Sequence, residues 1–148
     1  MIRRGAHIMR AAAMAVGLAT VGQALAAQTQ AEVNDLLRGT PDIYNGLFTA
    51  ALVKHIADSC EDSIDPPGKL ARVTYFLGLY SKARALGPSR AQIEAFVEDK
   101  GEQDRMRQLV YTHLRAADVD PLNEQAVCAY ASDQIAQGTA LGQRLREK

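Results

Sequence analysis

From Gln28 onward, apolar positions recur at steps of three and four, and the breaks between runs fall at Gly, Pro and Asp. That spacing predicts amphipathic helices, because 3.6 residues per turn bring i, i+3, i+4 and i+7 onto one face. The first run, "TQAEVNDLLRG", places Thr29 and Glu32 at capping-box spacing and closes at Gly39. Pro41 and Asp42 introduce a second helix whose stripe is Leu47, Phe48, Ala51, Leu52, Ile56 and Cys60. After Pro66-Pro67-Gly68, a third carries Leu70, Val73, Phe76, Leu77, Tyr80 and Ala83 and stops at Gly87-Pro88. Its centre, "RVTYFLGLY", has strand-like composition, but the spacing decides for helix.

Ser89 and Gln92 repeat the capping spacing and open a fourth helix with Ile93, Phe96 and Val97, which Gly101 is expected to break. A fifth, "EQDRMRQLVYTHLRAAD", aligns Met106, Leu109, Val110, His113 and Leu114. Its first turn holds Glu102 and Asp104, where carboxylates suit the helix dipole. Asp120-Pro121 is expected to start the last helix, with the stripe Val127, Ala131, Ile135, Gly138, Leu141 and Leu145. The connections are short and no repeat appears, so residues 27–148 are expected to form one all-α domain, a compact bundle of five or six helices.

The first 26 residues follow another pattern. Arg3, Arg4 and Arg10 give a basic start, Ala11–Gly22 a small apolar run, and Ala24-Leu25-Ala26 a peptidase-type site. That order predicts a cleaved, Sec-type signal peptide over residues 1–26, with export to the periplasm. The apolar run is shorter than the roughly 20 residues a spanning helix needs. Export also changes the charge. The whole chain has 17 basic and 17 acidic residues, and removing the three leader arginines leaves 14 against 17. A net charge of about −3 excludes a nucleic-acid partner as the reading of the composition, since phosphate binding calls for a basic face.

Export bears directly on Cys60 and Cys128, the only two cysteines. In an oxidising compartment they are expected to form a disulfide between the second and last helices. Two free thiols, or a two-His, two-Cys site with His55 and His113, are the alternatives. Around Cys60, the carboxylates Asp58, Glu61, Asp62 and Asp65 offer oxygen ligands. They lack the alternating spacing of a calcium loop, so they are expected to be solvated and to hold no metal. Gly138 and Gly142 repeat at four residues on one face of the last helix, where a neighbouring helix could approach closely; packing inside the domain is the first reading, and a candidate partner surface of Gly138, Leu141, Gly142 and Leu145 the alternative. The chain has no nucleophile elbow, phosphate loop, zinc-protease or dinucleotide motif, and no Trp. No catalytic residue, enzyme activity or cofactor is expected.

Three segments together, "NGLFTAALVKHIADSC", "YFLGLYSKARALGPSRAQIEAFVEDK" and "DPLNEQAVCAYASDQIAQGTALGQRLRE", resemble a small secreted alphaproteobacterial family of unknown function. The likeness covers about residues 42–147 and rests most on "SKARALG", Cys60, Cys128 and the tail with Ile135, Gly138 and Gly142. The resemblance implies an all-helical exported domain with a cysteine pair, and it supplies no catalytic residues. The resemblance further implies a gene of the kind often encoded beside those for the respiratory NADH–quinone oxidoreductase, and with it an accessory component on the periplasmic side of a respiratory membrane complex. A small periplasmic stress chaperone or a toxin-immunity-type inhibitor is the alternative class. A metal-binding protein built on the acidic loop 58–65 is the third.

Overall fold

Side-chain caps set four of the six helix starts among the described residues. The computed structural model describes residues 27–148, and the expected leader, residues 1–26, lies outside the described residues. The fold is all-α, with helices α1 (Gln30–Arg38), α2 (Pro41–Ser59), α3 (Lys69–Ala85), α4 (Arg90–Glu98), α5 (Lys100–Ala116) and α6 (Glu124–Ala136). At α1, the Glu32 amide donates to Thr29 Oγ1 at 3.3 Å, and the Thr29 amide donates back to the Glu32 carboxylate at 2.7 Å. That backbone donor holds the Glu32 carboxyl below its ordinary value. Ser89 and Gln92 make the same reciprocal pair at α4, at 3.2 and 2.9 Å. Both capping boxes form as expected.

Three boundaries differ from the sequence expectation, each for a local reason. Asp99, not Gly101, separates α4 from α5, because its carboxylate accepts from the Glu102 amide at 2.8 Å and caps α5; Gly101 lies inside the helix. Asn123 caps α6 by accepting from the Ala126 amide at 3.0 Å, so Pro121 sits in the preceding turn. The last helix does not reach Leu145. Gly138 adopts φ 62°, its amide donates to Ile135 O at 3.0 Å, and the Thr139 amide donates to Gln134 O at 3.2 Å. That Schellman pattern ends α6 at Ala136. A 3₁₀ turn (Gly142–Arg144) follows, then strand β2 (Arg146–Glu147), antiparallel to β1 (Ile64–Asp65).

The apolar interior forms two clusters on a shared spine. Leu52, Val53 and Ile56 of α2 pack with Val110 and Leu114 of α5 and with Val127 and Ala131 of α6. Ile43, near the start of α2, packs with Val33 and Leu37 of α1, Ala83 of α3, and Ile93 and Phe96 of α4. Thus α2 runs through both clusters, and the other helices lean on it.

Helix α3 is the exception. It forms over the expected residues, but four of the six stripe positions lie at the surface: Leu70 is 80% and Leu77 60% exposed, with Val73 and Phe76 also exposed. Only Leu79 and Ala83 are buried along it. Leu79 packs on Gly46 of α2, where a Cβ would meet its Cδ2 at 2.5 Å, and Tyr75 Oη donates to Gly46 O at 2.8 Å. Helix α3 is therefore anchored to α2 and α4 from Tyr75 onward, whereas Leu70 and Val73 before it stay exposed.

Candidate functional site

Cys60 and Cys128 form a disulfide joining the end of α2 to α6. Pairing removes both thiols from nucleophilic or metal chemistry, which excludes the two-His, two-Cys alternative. Cys60 is buried in the α2–α5–α6 cluster. The neighbouring carboxylates do not converge: Asp58 binds Lys54 at 2.6 Å, Asp65 lies in β1, and Glu61 and Asp62 are exposed. Among the described residues, no group of three His, Cys, Asp or Glu side chains is placed to hold a metal ion.

Among the described residues, His55 and His113 each make one hydrogen bond and a ring contact. His55 Nε2 lies 3.0 Å from Pro121 O and, facing a carbonyl, donates to it, while its ring meets the Tyr111 edge at 5.4 Å. His113 Nε2 is 3.1 Å from Tyr130 Oη, and the ring stands edge-on to Phe48 at 5.3 Å. Burial raises the Tyr130 phenol above its ordinary value, so it stays protonated.

The four tail residues do not share a helical face. Gly138 ends α6, Leu141 is partly buried, and Gly142 and Leu145 are buried. A Cβ on Gly142 would collide with the Gln134 carbonyl, so its close approach is to α6 of the same chain. The Thr139 hydroxyl donates to Gln134 Oε1 at 2.8 Å and accepts from the Gly142 amide at 3.0 Å, pinning that approach.

What the sequence did not reveal is a cleft of about 1920 Å³ between α2, α3 and α5, closed at one end by the C-terminal turn. It lies beside the first turns of α3, before and around the Tyr75 anchor. Tyr75 and Phe76 line one wall, and Met106 and Tyr111 of α5 the other. Its two ends differ in charge. Near the start of α5, Glu102 takes Arg38 at 3.3 Å and Arg105 at 3.7 Å. The Tyr44 hydroxyl and Glu102 Oε2 are both buried there without a hydrogen-bond partner among the described residues. Burial first, then the nearby Glu102 charge, raises the Tyr44 phenol above its ordinary value.

At the opposite end stand Arg72, Arg144, Arg146 and Lys148. Arg144 lies over the Tyr75 ring at 4.8 Å, a cation–π contact linking the C-terminal turn to α3. Among the described residues, Arg72, Arg144 and Arg146 have no carboxylate within 4.0 Å, and Lys148 is 4.0 Å from Asp65. These three arginines thus lack close ion pairs, although the β-ladder sets Asp65 opposite Arg146. The signal was available in two separate parts of the sequence, "LAR" and "RLREK", but nothing in their spacing brings them together.

No helix among the described residues is long and apolar enough to cross a membrane. No curated protein and no solved structure matches the chain. The family model described as a family of unknown function, DUF5333, matches residues 35–146, and the protein belongs to that family.

Proposed function

We propose that this protein is an exported, non-enzymatic interaction module that acts as a periplasmic accessory component of a respiratory membrane complex. The exposed apolar face of α3 carries the reading: Leu70 and Leu77 stand 80% and 60% exposed on a helix packed against α2 and α4. Contiguous apolar surface of that kind marks an interaction site in a folded protein. The leader pattern of residues 1–26 and the Cys60–Cys128 disulfide agree with export to an oxidising compartment. The choice of a respiratory complex rests on the family resemblance.

Affinity purification of the tagged full chain from crosslinked membranes, with partners identified by mass, tests this. Subunits of one respiratory complex should copurify, and Leu70→Glu with Leu77→Glu should remove them while leaving helical content unchanged. Recovery of the chain as a soluble monomer without a membrane partner would overturn the proposal, as would full retention of the partner by the substituted protein.

A further inference from the structure

The chain from 27 to 148 carries more acidic than basic residues, yet α3 holds Lys69, Arg72, Lys82 and Arg84 and no carboxylate. Three arginines, Arg72, Arg144 and Arg146, sit at one end of the cleft with no ion-pair partner among the described residues. Of the carboxylates lining it, Asp58 and Glu102 are already paired, which leaves Glu61. A basic, apolar groove on an acidic protein needs a complementary partner.

Size narrows the occupant. Small-molecule pockets run to about 300–1,000 Å³, well below the cleft's volume of about 1920 Å³. A helix as long as α3, 17 residues, spans about 25 Å. With side chains it has a diameter of about 10 Å, and a cylinder of those dimensions occupies about 2,000 Å³. The cleft is thus of a size comparable to one further helix.

We propose that the cleft between α2, α3 and α5 receives one amphipathic helix of a partner protein, with that helix's carboxylates set against Arg72, Arg144 and Arg146. This rests on the reading of the protein as an interaction module and adds the partner's chemistry. The partner's apolar residues, at i, i+3, i+4 and i+7, lie along Tyr75, Phe76 and Met106. Its C-terminal turn, the negative end of its dipole, points to the arginines. Helix α3 of a second copy is a poor occupant, because it would bring four more cations into a cationic groove. An anionic lipid surface can meet the outer residues Val73 and Leu77, but a flat layer does not enter a cleft walled by α2, α3 and α5.

The test titrates the full chain with a fluorescent 17-residue amphipathic peptide ending in Glu residues and with the same peptide ending in Lys. Vesicles of phosphatidylglycerol and of phosphatidylcholine are titrated in parallel. The Glu peptide should bind at least about tenfold more tightly than the Lys peptide, and weaken as salt rises from about 50 to about 500 mM. Arg144→Glu with Arg146→Glu should cost about tenfold in affinity. Arg72→Glu, in the exposed first turn of α3 where a carboxylate suits the dipole, should do the same and covers the case in which the tail substitutions unfold the turn. Equal binding of both peptides, or of neither, would overturn the proposal. Binding to phosphatidylglycerol vesicles without peptide binding would overturn it too, as would a dimer whose dissociation is required for peptide to enter. Copurification with a membrane complex without preference for the Glu peptide removes the helix proposal and keeps the interaction module. The Glu preference without a respiratory partner removes the respiratory assignment and keeps the helix.

Discussion

Two glycines on this chain illustrate opposite physics at the level of a single Cβ. At Gly142 an added methyl would meet the Gln134 backbone carbonyl, which cannot rotate away, so the 3₁₀ turn must separate from α6. Gly142→Ala should destabilise by about 1–3 kcal/mol, as overpacking does. Gly78 lies inside α3 with nothing within 4 Å of a built Cβ. There, Gly78→Ala should stabilise by about 0.5–1 kcal/mol, because alanine loses less backbone entropy in a helix. Urea midpoints at unchanged slope measure both, and shifts of the same sign would contradict this account. The same residues show a limit of periodicity. The four-residue spacing of Gly138 and Gly142 suggested one helical face, but Gly138 adopts the left-handed conformation that ends α6. Glycine at a helix C′ position marks the stop that apolar spacing alone does not show.

Among the elements, helix identity was legible and helix environment was not. Thr29–Glu32 and Ser89–Gln92 fixed two starts because reciprocal caps are local chemistry. At the end of α5, Asp118 takes φ 58° and Val119 folds back to donate to Leu114 O at 2.9 Å. Both apolar partners of that turn are buried, so the stop there is stabilised by packing that sequence spacing alone does not display. Helix α3 shows the larger gap: its apolar stripe establishes that a face seeks burial, not which molecule supplies the cover. Its hold on the bundle comes through Leu79, Ala83 and the Tyr75–Gly46 hydrogen bond. Leu79→Ala should therefore cost about 2–3 kcal/mol and raise amide exchange in α3 more than in α5 or α6. Leu77→Ala, at a 60% exposed position, should stay within about 0.5 kcal/mol. Equal protection loss across α3, α5 and α6 on Leu79→Ala would mean that α3 has no local stability of its own.

Across the whole molecule, the disulfide and the spine divide the labour of holding two apolar clusters together. The bridge closes a 68-residue separation between Cys60 and Cys128, joining α2 to α6 within one cluster. Restricting the unfolded chain over that separation stabilises by about 4 kcal/mol in the chain-entropy description. The second cluster, with Val33, Leu37, Ile93 and Phe96, contains neither cysteine. It shares α2 with the first, so loss of the bridge should be felt by both. Replacing Cys60 and Cys128 by Ala should lower stability by up to about 4 kcal/mol while preserving a single urea transition seen alike by far-ultraviolet circular dichroism and tyrosine fluorescence. Tyr44 and Tyr80 report the second cluster, while Tyr111 and Tyr130 report the first. Two separated transitions would show that α2 does not couple the clusters and that the bridge stabilises only its own end. One shared transition at lower urea identifies α2 as the element through which a local crosslink stabilises the entire fold.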